Sequence, residues 1–293
     1  MHQSIPVPQL VLMGAVVLVD LAILPLVLLW QRKRGNLKRA LLGAGFFLVF
    51  SALLEPLLYH LFAGIGALRA GGAILAVRAA LIGLVELGGL LLALRLLRAD
   101  RDADDFAGFG AAWGGAEALC VGIVLLVNLK IWITLSLYGP SAVSGLIYSP
   151  EFLRPYAEPM VAWMTVDTHR FLIAGLGIER LCSTLQHIFC AGWLFLGLSR
   201  GRLSCALSAA GIFLLYAVPA YLLEYAQAYA STVSFAWALN CELSGILACA
   251  LAGVGYYRAR CRALPQSPTA AEPKAEPAIE AGSEAIPESE AVA

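Results

Sequence analysis

Charged residues are scarce in this chain. Asp, Glu, Lys and Arg make up 14% of its 293 residues, hydrophobic residues make up 60%, and the mean hydropathy is +0.79. Those values exclude an ordinary water-soluble domain. No basic domain and no basic stripe interleaved with aromatics is present, which excludes a nucleic-acid interface. Cys-x-x-Cys pairs are absent as well. The seven cysteines stand singly, Cys120, Cys182, Cys190, Cys205, Cys241 and Cys249 in apolar runs and Cys261 in a basic segment. They read as small buried hydrophobes, with no disulfide and no zinc–thiolate site. There are only four histidines, His2, His60, His169 and His187. The opening MHQSIPVPQL lacks a charged n-region and a small-residue cleavage site, so it reads as a polar lead into a first span rather than a signal peptide. No repeat of fixed period is visible.

What is present is a series of apolar runs, each long enough for the roughly 20 residues that a helix needs to cross a bilayer. Seven are expected: Pro8–Trp30, Ala40–Phe62, Gly72–Leu97, Phe106–Leu137, Arg170–Leu198, Leu203–Ala226 and Thr232–Tyr257. The fold class is therefore all-α, a polytopic transmembrane helical bundle occupying residues 1–262. The fourth and fifth runs exceed a simple crossing, and the glycines of FAGFGAAWGG mark either a break or close packing. Arg32, Lys33, Arg34, Lys38 and Arg39 follow the first run, and Arg95, Arg98 and Arg101 the third. Arg200 and Arg202 follow the fifth, and Arg258, Arg260 and Arg262 the seventh. The opposite loops hold Arg69 and Arg154, with Arg170 at a run boundary. This asymmetry puts the N-terminus outside and the C-terminus in the cytoplasm. The loop from Tyr138 to Thr168, with Pro140, Pro150, Pro155 and Pro159, reads as an irregular or interfacial cap. Residues 263–293, rich in Pro, Ala and Glu, read as a disordered acidic tail.

Ionisable residues inside those runs are the functional signal, because lipid does not solvate them. They are Asp20, Glu55, His60, Arg78, Glu86, Glu117, Glu179, Arg180, His187, Glu224 and Glu242, with Lys130 near a boundary. Simple pairing between neighbouring helices is the competing explanation for any one of them. Depth narrows the set. Glu117, His187, Glu86 and Asp20 each lie about ten or eleven residues from the basic end of their run, hence about 15–17 Å into a ~30 Å core. Glu179 is about 12 Å from His187 along the same helix, too far to share one small reacting centre unaided. A carboxylate and an imidazole at one depth form a hydrolytic pair. Exclusion of water disfavours the charged form of both, which suits them to exchanging a proton near neutrality. The Glu would take a proton from water, and the His would bind a metal or donate to an oxyanion. The small residues around Glu117 (Gly114, Gly115, Ala116, Ala118) would let a helix or a substrate backbone come close, or mark a plain small-residue helix crossing.

Two stretches, FGAAWGGAEALCVG and IERLCSTLQH, resemble the YhfC family of intramembrane metalloproteases, relatives of the type II CAAX prenyl endopeptidases. The resemblance covers about Leu10 to Arg262, although only these two blocks are specific. It implies Glu117, Glu179 and His187 as catalytic positions, Arg180 beside them, and a divalent metal such as zinc with His187 as a ligand. It also implies a bacterial cytoplasmic membrane and a membrane protein or peptide as substrate. The chain departs from the family pattern at Trp113, where a histidine often precedes the glycine pair. It departs again at Phe213 and Ala217 in FLLYAVPAY, where a later span usually offers polar groups. Asn240 or Glu242 could complete the set. The leading expectation is thus an endopeptidase in which Glu117 activates water. The alternatives are a non-catalytic relative acting as a scaffold or chaperone for membrane proteins, and a transporter, against which the absence of a two-fold repeat speaks.

Overall fold

A computed structural model describes residues 5–63, 73–97, 103–138, 169–215 and 235–262. The expectations for the cap beyond Tyr138, for Ala217 and Glu224, and for the tail from residue 263 lie outside the described residues. The described elements are α1 (Val7–Lys33), α2 (Leu37–Phe47), a π-helical segment (Leu48–Leu54), α3 (Glu55–Ala63), α4 (Ala73–Leu97), α5 (Ala103–Tyr138), α6 (His169–Ser199), α7 (Leu203–Leu215) and α8 (Phe235–Cys261). No strand occurs among the described residues. Among the described residues, four helical stretches are long and apolar enough to cross a membrane, over Val7–Lys33, Leu37–Phe62, Asp104–Tyr138 and Ile173–Ser199. They match the first, second, fourth and fifth expected spans, while α4, α7 and α8 lie where the other three were expected.

Two tight reversals follow from glycine. Arg34 closes α1 and Gly35 takes φ +76°, a left-handed conformation. The N–H of Asn36 donates to Gln31 O at 2.9 Å and that of Gly35 to Arg32 O at 3.1 Å. Gly201 repeats the motif after α6 at φ +65°, with Arg202 donating to Gly197 O at 2.8 Å and Gly201 to Leu198 O at 3.2 Å. Both are Schellman caps, which satisfy the last carbonyls of a helix and reverse the chain in few residues. The π-helical turn has a cause in sequence too. Pro56 has no N–H for the Ala52 carbonyl, and the preceding ladder slips by one residue, with the Glu55 N–H on Phe50 O. That slip sits where Ser51 faces α4.

α5 is the spine. It is unbroken for 36 residues, about 54 Å at helical rise, so the glycines of FAGFGAAWGG do not break it. They set its packing distances instead. A Cβ added at Gly110 would run into the His187 carbonyl on α6, and one at Gly114 would lie 2.7 Å from Thr184 Cα. On another face, a Cβ at Gly115 would lie 3.1 Å from Leu24 Cα of α1, and one at Gly122 2.9 Å from Asp20 Cβ. α2 approaches through Gly43, against the Phe109 carbonyl. Lipid tails are as apolar as leucine, so helices associate by van der Waals fit more than by water exclusion, and small residues permit that fit.

Two apolar cores flank the middle of the bundle. One joins Phe47, Leu90, Phe106, Phe109, Trp113, Leu194, Phe195 and Phe213. The other, at the opposite end, joins Ile5, Met13, Val16, Trp132, Leu135 and Ile173. Leucines and valines such as Leu18, Leu26, Leu48, Leu53 and Val124 stay exposed on the outside, as a lipid-facing surface requires. Near the start of α5, Asp105 pairs with Arg39 of α2, and Asp104 pairs with Arg260 of α8 at 2.7 Å and accepts from the Tyr256 hydroxyl at 3.4 Å. Two arginines that mark topology in the sequence thus also tie helices together.

Gly110→Val should therefore lower the unfolding temperature in detergent by the equivalent of about 1–3 kcal/mol, the usual range for overpacking. Gly88→Ala, which meets nothing within 4 Å, should be neutral or slightly stabilising. Equal melting of the two variants would contradict the close α5–α6 approach.

Candidate active site

The polar residues occupy the layer between the two cores. Glu117 projects from α5 one turn beyond Gly114, where the missing side chain lets α6 come near. On α6, Arg180, Ser183 and His187 follow one another at helical spacing and so share a face. All three reach Glu117. Arg180 Nη1 donates to Oε1 at 2.7 Å, Ser183 Oγ donates to Oε2 at 2.7 Å, and His187 Nε2 lies 3.2 Å from Oε2. The second arm of Arg180 holds Glu179. Thr184 turns its hydroxyl back to the Arg180 carbonyl at 3.0 Å. The Glu117 and Arg180 side chains are only 14% and 15% exposed, and that of His187 is 3% exposed. Charge-assisted bonds of this kind are the strong ones.

The network fixes a tautomer. An ionised carboxylate only accepts, so the proton on the contact sits on His187 Nε2, and a neutral ring then carries a lone pair on Nδ1. Nδ1 is buried and has no hydrogen-bond partner among the described residues. The ring lies between two aromatics. Trp113 is stacked on it at 6.0 Å and 26°, and Phe213 meets it edge-on at 5.3 Å and 68°. Two of the three positions at which the chain departs from the family pattern, Trp113 and Phe213, are therefore packed against this histidine.

The depth argument from the sequence has a counterpart in space. Glu117 and His187 are in direct contact. Asp20 of α1 is fully buried, neither of its oxygens has a hydrogen-bond partner among the described residues, and it interacts electrostatically with Arg180, Glu179 and Glu117. Glu86 of α4 accepts from Ser51 Oγ at 3.1 Å and feels the charge of Glu117. Glu179 does not touch His187; Arg180 links it to Glu117. His60 and Lys130 are exposed on the helix exteriors. Asn240 and Glu242 lie on α8, but their side chains are outside the described residues, as is that of Arg78. Sequence reasoning missed Ser183 because it weighed only ionisable groups. Its place four residues before His187 and three after Arg180 was the available signal.

The metal that a metalloprotease resemblance implies can be tested against these donors. No group of three His, Cys, Asp or Glu side chains that could hold a metal occurs among the described residues. Both Glu117 oxygens are already engaged, one of them by a guanidinium that never loses its charge. The described ring neighbours of His187 are tryptophan, a donor only, and phenylalanine, neither of which offers a lone pair. The described residues do not fit a metal centre.

Comparison with known proteins gives one finding. The model of a family described as YhfC intramembrane metalloprotease matches residues 15–237. No curated protein and no solved structure matches the chain.

The two acidic residues of the layer should respond differently to neutralisation. Glu117→Gln removes one of the two carboxylate partners of Arg180 and should destabilise by about 3 kcal/mol, the scale for breaking a buried pair. Asp20→Asn replaces a buried carboxyl group that has no described hydrogen-bond partner, and should leave the unfolding temperature unchanged or raise it. A large loss of stability in Asp20→Asn would mean that a residue beyond the described ones holds it.

Proposed function

The chain belongs to the YhfC family, and from that premise we infer that it is an intramembrane endopeptidase in which Glu117 activates water and His187 assists. One observation carries the reading: Glu117 Oε2 and His187 Nε2, on different helices, lie 3.2 Å apart in a polar layer enclosed by apolar cores. An ionised carboxylate offers about four acceptor sites. Arg180, Ser183 and His187 use three, which leaves one on Oε1 for the proton of a water. The water oxygen adds to the scissile carbonyl carbon while its proton passes to Glu117. The proton then moves from Glu117 to the amide nitrogen, directly or by exchange through His187 Nε2, as the C–N bond breaks. Glu117 returns to the carboxylate, and one carboxyl and one amine terminus leave. Arg180 keeps its charge throughout and holds the carboxylate oriented. Glu179 positions Arg180. The substrate is a membrane protein or peptide.

A second reading rests on the aromatics. With Trp113 and Phe213 covering its ring, His187 is shielded on two sides, as suits a non-catalytic member that scaffolds other membrane proteins. Peptide-bond cleavage by the purified protein separates the two. The protease reading expects cleavage that falls by about 10²-fold or more in both Glu117→Ala and His187→Ala, the scale of general acid–base catalysis. A folded wild type that cleaves nothing in a broad panel of membrane peptides would leave the scaffold.

The reading includes seven spans in a bacterial cytoplasmic membrane, with the N-terminus outside and the C-terminus inside. Cys261 is exposed at the C-terminal end of α8, which gives a direct check. In a variant retaining Cys261 alone, a membrane-impermeant maleimide should label the protein only after cells are permeabilised. Labelling of intact cells would invert the topology.

A further inference from the structure

We propose that Arg180 occupies the place a divalent metal would hold in this site, so that the protein keeps its central carboxylates charged with an internal guanidinium and carries no resident metal. The proposal rests on reading the Glu117–His187 layer as the functional site, but its readouts do not require hydrolysis.

The geometry behind it is specific. Arg180 stands between two carboxylates on different helices, Glu117 of α5 at 2.7 Å and Glu179 of α6. Asp20 and Glu86 also interact electrostatically with Arg180. Among the described residues, Arg180 is thus the permanent cation these acidic groups share. A divalent ion would be drawn to the same point for the same reason, and there it would meet a like charge that cannot be removed by deprotonation. It would also need three or four donors. Glu117 Oε1 already accepts from Arg180 and keeps one site, Oε2 is committed to Ser183 and His187, and His187 Nε2 to Glu117. A guanidinium supplies what a metal would otherwise give the carboxylates, fixed orientation and charge balance, through a planar fork that reaches two partners at once. It does not lower the pKa of a bound water as a metal does, so water activation falls to Glu117 alone.

The test uses full-length protein purified in detergent, incubated with zinc, desalted and analysed for metal, beside thermal unfolding with and without added zinc or a chelator. Wild type should retain far less than one equivalent of zinc, and neither zinc nor chelator should move its unfolding temperature. Arg180→Ala vacates the space between Glu117 and Glu179 and should acquire zinc-dependent stabilisation that wild type lacks. Arg180→Lys keeps the charge and should stay insensitive to zinc; with wild type it carries the test if the alanine variant does not fold. Near one equivalent of zinc in wild type, lost in His187→Ala, would overturn the proposal. That outcome with intact cleavage would leave the endopeptidase reading standing, whereas absent cleavage in a metal-free wild type would sink that reading and leave Arg180 as the site's cation.

Discussion

The Glu117 carboxylate is the point on which the bundle's interior depends. It is a charge placed where lipid and apolar side chains offer no solvation, and it persists only because α6 brings a guanidinium, a hydroxyl and an imidazole to it. Removing any of these leaves a buried polar group without its partner, and a partly satisfied network is worse than none. The requirement propagates outward. α6 must lie close enough for short side chains such as Ser183 to reach across, and that distance is set by Gly110 and Gly114. Those glycines in turn require that α5 stay helical through a stretch whose composition would weaken a helix in water.

Stability and function draw on the same contacts here. The two apolar cores close the ends of the polar layer and limit the water that enters it, which strengthens each charge interaction inside. Trp113, the largest fully buried side chain among the described residues, belongs to one core and also stacks on His187. A substitution there would change packing and site chemistry together. The ion pairs of Asp104 and Asp105 are different in kind. They lie near the start of α5 and tie α8 and α2 to it; the Asp104–Arg260 pair is the exposed one, and solvent screening makes such a pair weaker than the buried one.

Family membership and local chemistry diverge at one point. The family is described by a metal, while the described residues of this chain surround the central carboxylate with an arginine and the histidine with aromatics. Arginine and a metal ion solve the same electrostatic problem, but only the metal also activates water. The difference therefore bears on how fast a peptide bond could be cut and on which group takes the proton.

The sequence by itself determined the class, several spans and the depth of the key groups. Apolar runs of bilayer length leave a chain no alternative to helices, and residues at equal distance from the basic loops must lie in one layer. Glu117 and His187 could be paired on that ground, and the resemblance drew on the same two blocks. The tertiary structure decided what the layer does with its charges. Nothing in IERLCSTLQH says that Arg180 turns to Glu117 as well as to its neighbour Glu179, that Ser183 joins them, or that Asp20 is left without a hydrogen-bond partner among the described residues. Nor does FGAAWGG alone say that its glycines close a helix contact rather than break the helix, or that Trp113 and Phe213, far apart in the chain, meet on the two sides of one imidazole. Depth follows from a helix's own rise per residue. Partnership depends on the rotation of each helix about its axis, and only packing against the others fixes that.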